Sequence, residues 1–331
     1  MKIAIIGGGW VGCHLGYKLK NEHDITIYEK NNSLFEETSL KNQNRLHLGY
    51  HYARNYKTRM LCIDTFESFL NDYEFLTKKI TNNIYCVPNF KSLIDFQTYK
   101  KIFNDFEFNE IKHPFKNVEG CINTDERYID FNLTKTFFTN QLSNFLVKEK
   151  ITPSKIKILQ NEFDLVINAT NNQIKYNNDD TSFFELTISL IYENKYESEF
   201  DALTMVDGNL FSIYPYCDNK FTVTDVIHTP IKKFKTINSL EKFKKKISQS
   251  LVNEKIEKIE KKIINYYPEF KKNFKYFDYF ISIKSKINSE SDERYPVINV
   301  NKNLINCFTG KIQGIYIIED FIKKKLKNYE S

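Results

Sequence analysis

The apolar positions of this chain change period several times, and each change marks an element. Residues 2–6, Lys-Ile-Ala-Ile-Ile, form an almost unbroken apolar run, the pattern of a strand buried in a parallel sheet. Glycines follow at once, then a helical stretch through Lys20, then a second apolar strand at 25–28 that ends in Glu29. Much later, residues 203–206, 211–214 and 221–226 read as successive strands, with an Asp207-Gly208 turn joining the first two as a hairpin. Between Lys232 and Lys262 the lysines alternate with Glu241, Glu254, Glu257 and Glu260, while Phe243, Ile247, Leu251, Ile256, Ile259 and Ile263 keep helical spacing. That stretch predicts an amphipathic helix with a solvated face. Residues 277–286 and 294–298 return to strand character.

Bulk properties narrow the function classes. A chain of 331 residues can build one large core or two interleaved domains, and 41% hydrophobic with 27% charged residues is a globular balance. The net charge of +6 is modest and comes without a basic, aromatic-studded module, which argues against nucleic acid. No apolar run reaches the roughly 18–20 residues of a membrane span. The N-terminus is a strand running into glycines and not a signal peptide, so a cytoplasmic protein is expected. Its six cysteines show no CxxC and no zinc spacing with histidine, which predicts reduced thiols and no metal.

The chemistry begins at Gly7-Gly8-Gly9-Trp10-Val11-Gly12, a G-x-G-x-x-G set between the two apolar strands. Gly7 permits the tight turn, Gly9 lets a pyrophosphate approach the backbone, and Gly12 lets the helix pack on the sheet. The N–H groups at the helix start, around Trp10 and Val11, face the phosphates. Glu29 closes the second strand, where a carboxylate accepts hydrogen bonds from ribose hydroxyls and repels a 2′-phosphate. Lys30, beside it, joins the expected cofactor-binding set.

The segment 38–52, TSLKNQNRLHLGYHY, resembles the one after the second strand in the D-amino-acid-oxidase-like (DAO) superfamily, which includes glycine oxidase and L-2-hydroxyglutarate dehydrogenase. Residues 120–133, the strand and turn at 164–171 and the turn at 306–314 resemble further parts of that family in the same order. Asn171 stands where the family usually has glycine, and asparagine tolerates the positive φ such a turn needs. The resemblance implies an α/β fold: a Rossmann-like FAD-binding domain (1–75, 130–175 and 290–331) interleaved with an α+β substrate domain (76–129 and 176–289) on a mixed or antiparallel sheet. It implies FAD as cofactor, contacted by Ser39, Asn42, Asn44, Arg45 and Thr170. Thr309, Gly310, Lys311 and Ile312 would form the turn at the flavin pyrimidine.

The implied activity is oxidation of a C–N or C–O bearing carbon in a small polar substrate, with hydride passing to flavin N5 and an unspecified electron acceptor. Arg45 and Arg294 are candidate carboxylate clamps, His47 a base or packing residue, and Tyr214 a phenolic partner, with Tyr50, Tyr52 and Tyr216 behind it. The family strand that tends to bear an arginine reads Ile283-Lys284-Ser285-Lys286 here, which makes Lys286 a further candidate. Three alternatives stand beside this reading. One is a non-redox flavin enzyme resembling UDP-galactopyranose mutase, against which the absence of glycine from 31–38 counts. The others are a catalytically silent flavoprotein and an NAD-dependent dehydrogenase, the last disfavoured because the 309–311 turn would have no partner.

Overall fold

The computed structural model describes residues 1–175, 182–196, 200–208, 210–288 and 294–330. The expected opening is present: β1 (Lys2–Ile6), α1 (Trp10–Leu19) and β2 (Asp24–Glu29), with Ile3 opposite Ile25 and Ile5 opposite Ile27 in a parallel pair. The chain then leaves this sheet through β3 (Arg45–Leu46), α2 (Tyr56–Tyr73), β4 (Thr77–Pro88), α3 (Phe96–Ile102), β5 (Phe108–Ile111) and β6 (Val118–Ile129). It returns through α4 (Phe131–Leu142), β7 (Leu146–Lys148), α5 (Pro153–Glu162) and β8 (Leu165–Asn168). A second excursion runs through β9 (Ser182–Asn194), β10 (Ala202–Met205), β11 (Phe211–Cys217), β12 (Lys220–Asp225) and β13 (Pro230–Phe234). After α6 (Ile237–Lys244), α7 (Gln249–Ile264), α8 (Phe270–Asn273) and β14 (Phe274–Ile287), the hairpin β15 (Val297–Asn301) and β16 (Leu304–Phe308) leads into α9 (Ile315–Glu330).

Two sheets result. The first has the order β15-β16-β8-β1-β2-β7 and is parallel except for β15. The second has the order β13-β9-β12-β11-β10-β4-β6-β3, with β14 also on β9 and β5 also on β6; only β10 and β4 pair in parallel. The fold is therefore the expected mixed α/β class. β3 belongs to the second sheet, through its pairing with β6, although it lies early in the chain.

Apolar layers hold both sheets, and the first is covered on both faces, with Ala4, Ile6 and Val166 packed on Ile156 and Leu159 of α5 on the side away from Trp10. Beneath the first, Trp10 lies edge-on to Phe35 and Phe138 (centroids 5.5 and 5.6 Å apart) and beside Phe69, so the helix that begins the glycine motif is anchored by its own first residue. In the second, the row Ile84–Leu203–Ile213–Val223–Leu190 runs across five strands and packs on Val252, Ile259 and Ile263 of α7. The next row, Tyr85–Thr204–Ser212–Thr224, points the other way because successive residues of a strand alternate faces. That face is polar and yet largely buried.

Two expectations need correction. The lysine-rich stretch is not one helix: 232–262 divides into β13, α6 and α7, with Ser248 capping α7 through the Leu251 N–H. The capping serine between two periodic stretches is what breaks it. Cys86 and Cys121 are not reduced thiols but a disulfide between β4 and β6, where the antiparallel register sets them directly opposite with Cα atoms 4.2 Å apart. Cys13, Cys62, Cys217 and Cys307 are free.

Phe138 is fully buried against Trp10 and Tyr73. Its replacement by alanine is expected to lower stability by about 3–5 kcal/mol, read as a lower urea midpoint with an unchanged slope. A loss below about 1 kcal/mol would mean that the aromatic layer does not anchor α1.

Candidate active site

The glycine turn is as tight as its sequence demands. Gly7 has φ +110°, and a Cβ there would sit 2.8 Å from the Ala169 carbonyl oxygen. A Cβ on Gly12 would stand 1.9 Å from the Gly7 carbonyl oxygen, and one on Gly9 would meet Ser39 Oγ at 2.6 Å. The N-cap residue, Gly9, has no side chain to cap α1 and the first turn holds no acid, so beyond the Trp10 N–H the positive end of the helix is left for an anion. The Trp10 side chain lies in the core, which restricts that residue to its backbone: its N–H donates to Ser39 Oγ at 3.0 Å. Glu29 is buried and accepts from the Gly8 N–H (2.7 Å) and from the Asn31 backbone and side chain. Lys30 reaches Gln173 and Glu37.

Residues 38–52 cross from the first sheet to the second, and side chains from both satisfy their backbone. Thr38 donates to the Ile283 carbonyl at 2.6 Å. Asn42 shapes the turn locally, accepting from the Asn44 N–H and donating to the Thr38 and Ser39 carbonyls, while Asn44 takes φ +50°. The buried Glu126 accepts from the Leu48 N–H (2.6 Å), Asn83 Nδ2 and Tyr85 Oη. Gln313 donates to the carbonyls of His47 (3.2 Å) and Cys62 (2.7 Å).

Gln43 and Arg45 meet the polar face of the second sheet. Gln43 bridges Thr222 and Ser212. Arg45 donates through Nη1 to Thr204 (3.1 Å) and lies 4.1 Å over the Tyr214 ring, while its Nε and Nη2 are buried with no partner. The Tyr214 hydroxyl is spent on the Arg127 carbonyl, and burial raises its pKa, so Tyr214 offers Arg45 a ring and not a proton. Tyr216 stacks on Phe131, and Tyr50 donates to the Glu107 carbonyl; both are packing residues.

The cations gather around two histidines. Lys311 Nζ lies 3.1 Å from His47 Nε2 and 4.5 Å over the Tyr52 ring, and Tyr52 stacks on His47. Burial first, then Lys311, His51 and Arg45, hold His47 well below the usual imidazole range. Neutral His47 accepts from Lys311 at Nε2, which leaves its proton on the buried, unpartnered Nδ1. His51 is lowered likewise, by burial and then by Arg45, Lys311, Arg294 and Lys284. Lys286 is neutralised by the buried Glu185 at 2.8 Å. Two residues earlier on the same face, Lys284 has no ion pair among the described residues; burial, then Arg294 and Lys286, push it down to about 8. Arg294 lies against Gly310, and Thr309 ties the turn by bonding both ways with Lys311, so that Ile312 begins the turn into α9. Thr170 bonds Asn168 and the Ile174 N–H, and Asn171 takes φ +53°.

Sequence reasoning named Arg45, His47, Arg294 and Lys311, which come together here. It passed over Glu126, Gln313 and His51, and it chose Lys286 where Lys284 faces the cluster. The alternation on β14 marks both lysines as facing one way; only the position of Glu185, on a strand a hundred residues earlier, separates them. Outside this region, His14 links α1 to Tyr73 and Glu319, and Asp225 bonds Lys262 and the His228 N–H.

The expected FAD fits on two observations: a glycine cradle that any Cβ would fill, and orphaned buried nitrogens on Arg45, His47 and His51. Removing the Glu126 carboxylate as alanine leaves the Leu48 N–H and the Tyr85 hydroxyl unpaired, while Asn83 Nδ2 keeps Thr124, and is expected to lower stability by about 2 kcal/mol or more. Glu126→Gln should recover part of that loss and of the bound flavin, followed by urea unfolding and flavin absorbance. Gly9→Val is expected to purify without flavin, and stoichiometric flavin in that variant would overturn the cradle.

The family profile described as FAD dependent oxidoreductase, DAO, matches residues 2–80. A Fusarium mangiferae protein named FAD-dependent monooxygenase FPY4 is 31% identical over 97% of this chain and 89% of its own. FAD-dependent monooxygenase kojA of Aspergillus flavus is 22% identical over 95% of this chain and 83% of its own. Among solved structures, glycine oxidase from Geobacillus kaustophilus superposes with a TM-score of 0.72 at 10% identity, covering 98% of this chain and 94% of that one. L-alpha-glycerophosphate oxidase from Mycoplasma pneumoniae, with FAD bound, gives 0.69 at 15% identity over 96% and 92%. With its glycine cradle, its two sheets and these relatives, the chain belongs to the FAD-dependent oxidoreductases of the DAO type.

Proposed function

We propose that this enzyme oxidises a carbon bearing nitrogen or oxygen in a small anionic molecule, gripping the anion with Arg45 and Lys284. The observation that carries this reading is the buried guanidinium edge of Arg45, Nε and Nη2, left without a partner among the described residues. A planar edge of that kind matches a carboxylate with two parallel hydrogen bonds. Thr204 and the Tyr214 ring fix its orientation. Lys284 adds a point charge that no carboxylate among the described residues cancels by an ion pair. We read the first sheet and the helices beneath it as the cofactor half and the second sheet as the substrate half.

When bound, FAD supplies a two-electron acceptor. The residues of the chain do the rest. Gly7, Gly9, Gly12 and the start of α1 would hold the pyrophosphate, Glu29 the ribose, and the 309–312 turn with the start of α9 the flavin carbonyls. The heteroatom of the substrate must release a proton, and the two imidazoles, kept neutral by burial and by the cations, can take it. His51 has its Nδ1 buried and unpartnered; His47 is held by Lys311 and serves better to position. The polar row Thr204, Ser212 and Thr224, with Gln43, would line the remainder of the substrate.

A second reading follows from the name of the Fusarium relative: monooxygenation, in which one atom of O2 enters the product. Product analysis under 18O2 separates the two, since simple oxidation leaves the label out of the organic product.

Anaerobic reduction of the bound flavin by 2-hydroxy or 2-amino acids, against neutral alcohols and amines of equal size, tests the anion. Arg45→Met is expected to raise KM on the order of 30-fold or more with flavin retained, the effect of stranding one partner of a charged pair. Equal rates with neutral compounds would remove the anionic requirement. For pH, anion binding favours protonated Lys284, so affinity should be full below about 8 and fall by about tenfold per pH unit above it. Lys284→Met should abolish that inflection, and a flat profile in the parent enzyme would release Lys284 from the site.

A further inference from the structure

The formal charge of the whole chain is +6, and residues 232–246 hold seven lysines against the single Glu241. That short stretch, β13 and α6 with the residues after it, therefore carries a charge equal to the net of the entire protein. The neighbouring lysine-rich helices are different. In α7 four lysines are interleaved with three glutamates, and in α9 four lysines stand against three acids. α6 itself holds two lysines against Glu241, so the excess of this stretch lies on β13, at Lys235 and at Lys245 and Lys246 just after α6.

The patch has a specific chemistry. Lys232, Lys233, Lys235, Lys242, Lys245 and Lys246 are exposed, and among the described residues the only ion pair within the stretch is a long one, Lys244 to Glu241 at 3.9 Å. Lys232 lies over the Phe243 ring, which is itself packed, on the α6 side of β13, whereas Lys233, the next residue, lies over Phe183 on the other side of the strand. Among the described residues no large hydrophobic side chain is exposed between 230 and 247. Lysines on an edge strand such as β13 also guard against strand pairing, which accounts for Lys232 and Lys233 but not for those on and after α6.

We propose that β13 and α6 form a docking face for an anionic lipid surface. Protein interfaces are depleted in lysine and built on aromatic anchors and arginine, and nucleic-acid sites interleave bases with exposed aromatics or arginine. A lysine-only, non-inserting patch of about five charges suits a diffuse sheet of negative headgroups, to which each such lysine adds attraction that salt screens. The face is backed by the catalytic sheet itself: Leu240 of α6 packs on Ile283, and the adjacent residue, Lys284, faces the opposite side. One layer of sheet would then separate the bilayer from the buried cations.

The test is co-sedimentation of the FAD-loaded full chain with vesicles of phosphatidylcholine alone or with roughly 30 mol% phosphatidylserine. Binding is expected only to the anionic vesicles, at about 0.05 M salt, and release at about 0.5 M. Lys242→Glu with Lys245→Glu and Lys246→Glu should weaken binding at least about tenfold with flavin content unchanged. Lys101→Glu with Lys112→Glu and Lys157→Glu, the same change of net charge elsewhere on the exposed surface, should leave it intact. Equal loss in both variants, equal binding to neutral vesicles, or capture by polyglutamate without vesicle binding would each overturn the proposal.

Discussion

Everything in this molecule depends on holding one irregular segment, residues 38–52, in the seam between two sheets. Its backbone is neither helix nor, apart from β3, strand, so few of its N–H and C=O groups pair among themselves, as Asn42 with Leu40 and Tyr52 with Gly49 do. Buried and unpaired they would each carry a penalty of about 1–3 kcal/mol. The chain meets this with side chains placed far away in sequence. Glu126 from the second sheet takes the Leu48 N–H, and Gln313 at the C-terminal turn gives a hydrogen bond to the His47 carbonyl. Thr38 reaches β14 and Ser39 holds the start of α1. The segment is thus a strut whose ends are bolted to different layers.

That strut explains the electrostatics. Because it is pinned at Leu48 and His47, it delivers Arg45 to the polar face of the second sheet and His47 to Lys311, and both arrive without a counter-charge. A group of like charges inside a protein is destabilising unless something neutralises it, and the lowered pKa values of His47, His51 and Lys284 are the protein's partial relief. An anionic cofactor, and the anionic substrate proposed above, would relieve it further.

Local pattern revealed a good deal of this and long-range pairing the rest. The G-x-G-x-x-G between two apolar strands was legible because turn, helix start and acid all lie within thirty residues. The second sheet was legible as strands, through the Asp207-Gly208 hairpin and the alternation around it. What was not legible was partnership. Nothing near Lys286 announces that Glu185 neutralises it, and nothing near Tyr214 announces that its hydroxyl serves the Arg127 carbonyl. Cys86 and Cys121 lie 35 residues apart and are joined only through the register of β4 on β6. The lysine-rich stretch differs for another reason: a single helical reading over thirty residues hides a strand and two helices, with the excess lysines on the strand and beside the first helix.

The alternation of rows in the second sheet has a consequence for how such a protein can change. Ile84, Leu203, Ile213, Val223 and Leu190 knit the strands to α7, while Thr204, Ser212 and Thr224 look away from that contact. Cohesion and chemical preference are written on opposite sides of the same strands. A hydroxyl exchanged for a methyl or an amide on the inner row alters what the chamber welcomes and leaves the aliphatic seam untouched. On the proposed reading, divergence toward new molecules can proceed by replacements at every second position, provided that Thr204 still holds Arg45 and Ser212 still holds Gln43.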